Sequence, residues 1–576
     1  MNAHEQIYQK WLNSDKLNKE EKEELLALQD DPKELKERFY TSLSFGTAGL
    51  RGKMKLGTNA INKYTVAQAT QALATLVLKQ HRADDGVVIA YDCRNNSELF
   101  AKTAASVLAA NGVKTYIFDE LRPTPELSFA LRDLGCVAGI NITASHNPKE
   151  YNGYKAYWED GAQLPPEHAS TVSREIDKID IFDDIKSIDF DKAVEDGKIT
   201  VIGNEMDERY LAAVIEQLVN PELIKKMAHD MKIVYSPLHG TGYRLIPDAL
   251  DRVGVEHLFV VPEQMEVNGD FPTVVKPNPE YAEVFELGIQ IAQDVGSTLV
   301  IATDPDADRV GVVVKNNNGE FVTISGNQMG ALLLDYIITA YEESGSMPKN
   351  PYAVKTIVST ELASKICAEH GVKLHNVLTG FKFIGEVIKN YEQAGGDPSS
   401  YILGFEESYG YLKGTYARDK DAVVTTILIC EMVAYYQSKG MTLFDALNDL
   451  YKRYGYYLEA NEEVYMHGID GREKMTELMD ALRNSAPDVL AGHKVVEIGD
   501  YLAGTITNTV SGEQKSTELP KSNVISYKME NGDVVIGRPS GTEPKIKFYY
   551  LLTGKSKEEM NVSLAQYKEF INSFIK

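Results

Sequence analysis

Between Val87 and Pro148 the chain reads VVIAYDCRNNSELFAKTAASVLAANGVKTYIFDELRPTPELSFALRDLGCVAGINITASHNP. Val87 to Asp92 is an apolar run of strand length. Ser97 can cap a helix over roughly Glu98 to Ala110, which Asn111-Gly112 ends, and VKTYIF from Val113 predicts the next strand. Thr124-Pro125 offers an N-cap with Pro at the first helical position, and after Gly135 a third strand, VAGINI, runs into Thr143. Strand and helix in alternation predict an α/β sheet.

Working outward, comparable strand-then-loop openings recur at MKIVYSPLHG from Met231, STLVIATD from Ser297 and AVKTIVST from Ala353. They predict three serial α/β domains with mixed sheets. Beyond DALNDLYKRYG the pattern changes: DVVIGR and KIKFYYLL flank a tight Pro/Gly loop, and Ser556 with Glu559 has the capping-box spacing that starts a last helix. A C-terminal α+β domain fits this. The expected domains are residues 1–205, 206–322, 323–455 and 456–576, and with no long linker between them they are expected to pack around a central active-site cleft. The first forty residues, rich in Lys and Glu around Trp11, read as a solvated amphipathic helical lead-in.

At 576 residues the chain is too long for one small module. Its 60 Lys and Arg stand against 84 Asp and Glu, a net charge of −24, which argues against binding nucleic acid or an anionic membrane. Cys93, Cys136, Cys367 and Cys430 are too few and too scattered for a disulfide framework or a paired zinc site, so buried reduced thiols are expected. The amino-terminal stretch has no apolar signal region, and no apolar run reaches the ~18 residues of a membrane span. A cytoplasmic protein handling small molecules follows as the expectation. The sequence does not set its oligomeric state.

Four segments carry chemistry. Ser145, in Thr143-Ala144-Ser145-His146-Asn147-Pro148, lies just beyond the carboxyl end of VAGINI, where open α/β sheets place reactive groups. It is a candidate nucleophile with His146 adjacent, although an ordinary Ser/Asn/Pro turn has the same composition. Asp304, Asp306 and Asp308, in DPDADR, supply hard oxygen ligands suited to Mg²⁺. In an extended chain the outer two would stand roughly 13 Å apart, so shared coordination requires the loop to curl. An EF-hand is excluded because its sixth and twelfth positions hold Arg309 and Lys315. Gly404-Phe405-Glu406-Glu407-Ser408 follows a short strand, and its carboxylates could accept from sugar hydroxyls or be surface charge. Arg538-Pro539-Ser540-Gly541-Thr542-Glu543-Pro544-Lys545-Ile546-Lys547 joins two strands with the inventory of a phosphate site, or of a charged hairpin connection. Ser44 to Gly52, Gly-rich with Arg51, is weak evidence alone.

Together TASHNP, DPDADR, GFEES and RPSGTEPK, in that order, resemble the α-D-phosphohexomutase superfamily, most closely its phosphoglucomutase members. The resemblance implies an isomerase that interconverts α-D-glucose 1-phosphate and glucose 6-phosphate, with a glucose 1,6-bisphosphate intermediate that also serves as activator. It implies that Ser145 carries the phosphoryl group and, with Asp304, Asp306 and Asp308, holds Mg²⁺. By the same resemblance Arg51, His146, Lys155 and Arg309 line the reaction centre, with Thr47 on the substrate. Lys382, in Thr379-Gly380-Phe381-Lys382, stands near the sugar as a proton donor or acceptor. Glu406 and Ser408 take the sugar hydroxyls. Arg538, Ser540, Gly541, Thr542 and Lys547 take the phosphate that is not reacting. Phe405 and Ala48 depart from many glucose mutases toward the phosphopentomutase branch, which makes ribose or deoxyribose 1-phosphate the alternative substrate. A Mg²⁺-dependent sugar phosphatase would share the first half-reaction, and a noncatalytic sugar-phosphate binder would leave Ser145 unmodified.

Overall fold

The structure is a computed structural model that describes residues 2–46, 49–466, 471–540 and 545–575. The chain forms two compact units. One comprises Met1–Ile324, Ile388–Pro398 and Tyr409–Lys439; the other comprises Ser325–Val387, Ser399–Ser408 and Gly440–Lys576.

The first unit holds two mixed sheets. In the first, strands run in the order Leu50–Lys53, Tyr151–Trp158, Ala138–Ile142, Val87–Tyr91, Thr115–Phe118 and Ile199–Ile202, the last four parallel and the first two antiparallel. Val87–Tyr91 and Ala138–Ile142 are buried along their whole length, as expected for parallel strands covered by crossover helices such as Ser97–Ala110. The register places Arg51 opposite Gly153 and Lys155 opposite Asn141. Since side chains alternate along a strand, Arg51, Lys155 and Asn141 share one face. The second sheet runs Phe321–Ile324, Val310–Lys315, Leu299–Thr303, Lys232–Ser236 and His257–Val260, with the last three parallel.

In the second unit, Lys373–Val377, Tyr352–Thr356 and Tyr401–Glu406 are parallel neighbours. The helix Gly326–Ser344 lies so close to them that a Cβ on Gly330 would come within 2.3 Å of the Phe405 ring, so Phe405 is a packing residue there. The carboxyl-terminal sheet is antiparallel, in the order Tyr456–Tyr465, Lys545–Gly554, Val534–Pro539, Ile525–Met529, His493–Asp500, Thr505–Asn508 and Gln514–Ser516, with Val489–Leu490 beside His493–Asp500. The helix Lys557–Ile575 packs against it. This is the α/β and α+β architecture the alternation predicted.

Three local expectations are corrected. The lead-in is helical, over Ala3–Leu12, Lys19–Ala27 and Pro32–Phe39, but it is not simply solvated: Trp11 and Phe39 are fully buried, with Trp11 packed against Phe39, Tyr64 and Phe182. An amphipathic pattern tells which stripe is apolar but not what covers it. The helix Ser97–Ala110 takes Asn96, in the left-handed region at φ 64°, as its cap residue, because the Ser97 hydroxyl is engaged by Asp92. In Thr124–Asp133 the cap position falls on Pro123 because Thr124 is bonded elsewhere, as described below. The four cysteines are free, and Cys136, Cys367 and Cys430 are buried. No helix among the described residues is long and apolar enough to cross a membrane.

Candidate active site

The Ala138–Ile142 strand ends at a loop whose shape is over-determined. Ser145 has φ 50°, a left-handed conformation that costs a non-glycine residue about 1–3 kcal/mol. Its N–H donates to Thr143 Oγ1 at 2.8 Å, and the Thr143 hydroxyl in turn donates to Asp92 Oδ2 at 2.6 Å. The buried guanidinium of Arg94 donates to four backbone carbonyls of the loop: Ser145 and Asn147 at 2.5 Å, Pro148 at 2.9 Å and Tyr151 at 3.0 Å. Asp92, 3.3 Å from Arg94, completes this scaffold.

So held, Ser145 Oγ lies 3.2 Å from His146 Nδ1 and donates to Asp304 Oδ2 at 2.9 Å. Burial holds the His146 imidazole well below the usual histidine range, and the charges of Arg309 and Arg51 push it further down. His146 is therefore neutral near pH 7. Arg51 donates to the Asn147 side chain at 3.0 Å and so faces the same loop.

The metal-ligand expectation required the 304–308 loop to curl, and it does. Ala307 takes φ 49°, and the N–H groups of Asp308 and Arg309 both donate to Asp304 Oδ1, at 3.1 and 3.0 Å. One oxygen from each of Asp304, Asp306 and Asp308 lies within 4.8 Å of the others, and all three side chains are buried. Lys155 Nζ is 2.6 Å from Asp306 and 3.4 Å from Asp308, and Lys420 Nζ is 3.2 Å from Asp308. Burial and its two carboxylate neighbours push the Asp304 carboxyl well up. For Asp306 burial acts in the same direction, but the Lys155 ammonium together with hydrogen bonds from Lys155, Thr124 and Asp304 holds the group low. Asp306 Oδ1 and Asp308 Oδ1 are buried with no hydrogen-bond partner among the described residues. Asp308 Oδ1 has the Arg309 Nε, 3.8 Å away, as a charge neighbour, and an all-oxygen donor set with two buried carboxylate oxygens that accept no hydrogen bond fits a hard divalent cation. A second possible ligand group, His229, Glu256 and His257, has His229 and Glu256 exposed and His257 only partly buried, unlike the fully buried aspartates.

Several groups around this centre escaped the sequence reading. Arg94 sits in an unremarkable DCRNN loop, and nothing local announces its four carbonyls. Thr124 donates from both backbone and hydroxyl to Asp306, at 2.9 and 2.8 Å, and itself accepts from Asn141 at 2.7 Å. Asp419 accepts from Tyr157 at 2.9 Å and lies 3.2 Å from Lys420. Asp421, two residues on, caps the apolar helix Ala422–Ser438 with its carboxylate, the one local signal that could have marked this stretch. The position of Lys420 follows from that helix start but needs the tertiary fold to be seen.

The remaining predicted residues that the structure describes lie in the second unit. Glu406 ends the strand Tyr401–Glu406, and its Oε1 accepts from the N–H of Gly380 at 2.8 Å. Glu407 accepts from Thr356 at 3.3 Å; burial, then the neighbouring Glu406, push its carboxyl up to about 7. Lys382 opens the helix Phe381–Gln393 with its ammonium 5.0 Å from the Phe383 ring, and burial pulls its pKa down. Arg538 donates to Thr379 and faces Lys547 across the strand pair, so two cations share one sheet face. The Ser540 N–H closes its loop onto the Lys545 carbonyl at 2.8 Å. Ser408 follows Glu407 at the edge of that unit. Thr47, Gly541 and Thr542 lie outside the described residues.

Residues 42–182, 208–319 and 325–454 match, in that order, alpha/beta/alpha domains I, II and III of phosphoglucomutase/phosphomannomutase. A phosphoglucomutase of Staphylococcus saprophyticus is 39% identical over 523 residues, covering 91% of this chain and 92% of that protein. One from Staphylococcus haemolyticus is 36% identical over 540 residues, covering 92% and 94%. Among solved structures, a putative phosphomannomutase from Thermus thermophilus aligns with TM-score 0.67 at 21% identity, over 92% of this chain and 99% of that one. The open form of parafusin, a phosphoglucomutase from Paramecium, aligns at 0.69 with 19% identity, over 93% and 96%. At those identities the structural likeness speaks for the fold.

Proposed function

Because the chain belongs to the phosphoglucomutase/phosphomannomutase family, we infer that it is a phosphotransferring isomerase, a phosphoglucomutase acting on small sugar phosphates. The observation that carries this reading is the placement of Ser145 Oγ, 3.2 Å from the His146 imidazole and 2.9 Å from the first carboxylate of a buried triad. The substrate pair is α-D-glucose 1-phosphate and glucose 6-phosphate, with glucose 1,6-bisphosphate as intermediate and activator. The relatives' name favours glucose phosphates over the pentose phosphates that Phe405 and Ala48 left open. The acidic charge and unpaired thiols fit action in the cytoplasm.

In the proposed cycle Ser145 is phosphorylated. Its P–Oγ bond breaks as a bond forms from phosphorus to the sugar O6, and a proton passes from O6 to Oγ. The bisphosphate then turns over; its P–O1 bond breaks as P–Oγ reforms, and the proton passes from Oγ to O1. The cycle is proton-neutral. His146, within reach of Oγ and held neutral by burial and two guanidiniums, can take the Oγ proton in the second half. Lys382, drawn toward neutrality by burial, is suited to the matching transfer at the sugar. Arg51, Lys155 and Arg309 supply positive charge for the transferring group. Glu406 and Ser408 would bind the sugar hydroxyls, and Arg538, Ser540, Gly541, Thr542 and Lys547, with Thr47, the remaining phosphate contacts. Mg²⁺, when held by Asp304, Asp306, Asp308 and a phosphate oxygen on Ser145, would supply charge stabilisation to the transferring phosphoryl group.

The test is a coupled assay for glucose 6-phosphate from glucose 1-phosphate, with Mg²⁺ and a trace of the bisphosphate, on wild type and Ser145→Ala. Turnover by wild type and none by the variant is the expected result. Inorganic phosphate released with no glucose 6-phosphate would make the protein a phosphatase instead.

A further inference from the structure

Residues 266–281 form neither helix nor strand, yet the segment is tied down along its length. His239, fully buried and left-handed at φ 67°, lies 2.8 Å from the Glu266 carbonyl through Nδ1 and 2.8 Å from Thr273 Oγ1 through Nε2. A carbonyl can only accept, so Nδ1–H donates to Glu266 and Nε2 accepts the Thr273 hydroxyl. Gly269 runs against Asn95, where a Cβ would lie 2.5 Å from the Asn95 nitrogen. Phe271, 2% exposed, presents its ring 5.1 Å from the Arg94 guanidinium that shapes the Ser145 loop. Farther along, buried Asn278 accepts from the Glu280 N–H at 3.1 Å, and Pro279 packs onto Gly311, where a Cβ would sit 2.4 Å from the Pro279 carbonyl oxygen. The result is a fixed Glu280 carboxylate 2.6 Å from Arg309 Nη1.

We propose that Glu280 is a positioning residue for Arg309, and that the 266–281 segment braces the Ser145 loop and the aspartate loop in one register. The inference rests on the reading of Arg309 as a ligand for the substrate phosphate. An arginine side chain has several soft torsions, and a charge-assisted bond to an anchored carboxylate removes that freedom before substrate arrives. A guanidinium has five donors, so Arg309 can keep Glu280 while meeting a phosphate oxygen. The brace places the anchor from one side through Asn278 and Pro279, and reaches the nucleophile's scaffold through Phe271. One segment therefore touches both halves of the reaction centre.

The test compares Glu280→Gln, Glu280→Asp, Arg309→Gln and the double variant Glu280→Gln/Arg309→Gln in the coupled glucose 1-phosphate assay. Glu280→Gln is expected to lower kcat/KM by roughly tenfold or more, and Glu280→Asp to recover part of that. Because Glu280 acts through Arg309, the double variant is expected to be no worse than Arg309→Gln alone. The pair is partly exposed, so the unfolding midpoint of Glu280→Gln should match wild type. Wild-type kinetics in Glu280→Gln, or losses that multiply in the double variant, would overturn the positioning role. Failure of the wild-type enzyme to convert glucose 1-phosphate would instead sink the reading on which the role rests, and the same assay separates the two.

Discussion

Replacing Arg94 by Met removes a fully buried guanidinium while keeping most of its aliphatic volume, and so tests whether the Ser145 loop is held from behind. Four carbonyls would lose their donor at once, and Asp92, also fully buried, would lose its counter-charge. Breaking one side of a buried ion pair costs about 3–5 kcal/mol, a large share of the roughly 5–15 kcal/mol that keeps a typical domain folded. Burial already pushes the Asp92 carboxyl up, with Arg94 pulling against it, so without Arg94 that carboxyl would rise further and take up a proton. Its raised folded-state value means that the variant's stability is fully present below the unfolded aspartate value of about 3.9 and falls as pH rises above it. The Arg94→Met penalty should therefore be smallest in acid and grow toward neutrality. Activity should suffer independently of stability. Ser145 is left-handed and leans on those carbonyl contacts, and a shift of about 1 Å in a reacting atom costs on the order of a hundredfold in rate. The assays are urea unfolding at several pH values and kcat for glucose 6-phosphate formation by the folded variant. An Arg94→Met protein that turns over at the wild-type rate, or whose stability deficit shrinks as pH rises, would refute the reasoning.

Trp11→Ala should destabilise the protein by about 3–5 kcal/mol, because the indole is fully buried among Phe39, Tyr64 and Phe182, while kcat of the folded fraction stays at the wild-type value. Denaturant unfolding and steady-state kinetics check the two halves. Glu407, raised to about 7, contributes stability that is complete below about pH 4.5 and is lost as pH climbs through about 7. Glu407→Gln should flatten that fall by up to about 3 kcal/mol, but not abolish it, since burial also raises Glu459 to about 7; midpoints measured below about pH 5 and above about pH 8 decide. Gly380 adopts φ 118° while its N–H serves Glu406, and a Cβ there meets nothing closer than 3.8 Å, so Gly380→Ala tests backbone strain rather than a clash. A strain of about 1–3 kcal/mol should displace Glu406 and raise KM for glucose 1-phosphate. An unchanged KM would separate Glu406 from sugar binding.

Period and punctuation made the fold legible. Val87–Tyr91, Ala138–Ile142 and Leu299–Thr303 are buried end to end, and a continuous apolar run between turn signals is how such a strand reads in sequence. The Ser145 loop and the 304–308 loop were legible for the same reason, since they follow Ala138–Ile142 and Leu299–Thr303. The partners of those loops were less so. Lys155 was assigned by family likeness, and what brings it to Asp306 is the antiparallel register of Tyr151–Trp158 against Ala138–Ile142. Lys420 and Arg94 had no motif to announce them, because a buried cation pairs with what tertiary packing puts beside it and needs no particular spacing.

Three carboxylates within five residues repel one another, and that repulsion by itself would call for a cation. The chain supplies part of the answer itself: Lys155 bridges Asp306 and Asp308, Lys420 adds a second ammonium at Asp308, and Asp304 is pushed toward its protonated form. Repulsion is thus an insufficient argument for a metal at this loop. Asp306 Oδ1 and Asp308 Oδ1 make the stronger one. They are buried, neither has a hydrogen-bond partner among the described residues, and each sits on a carboxylate whose other oxygen already faces a lysine. Leaving a buried carboxylate oxygen without a hydrogen bond costs on the order of 1–3 kcal/mol, and for Asp308 Oδ1 the Arg309 Nε at 3.8 Å is a charge neighbour beyond hydrogen-bond distance. Thr124 holds the Asp306 carboxylate, and the two backbone donors to Asp304 hold the curl of the loop. What points to a divalent ion is therefore the absence of a hydrogen bond at two buried oxygens, a property of packing, rather than the number of acidic residues, a property of sequence.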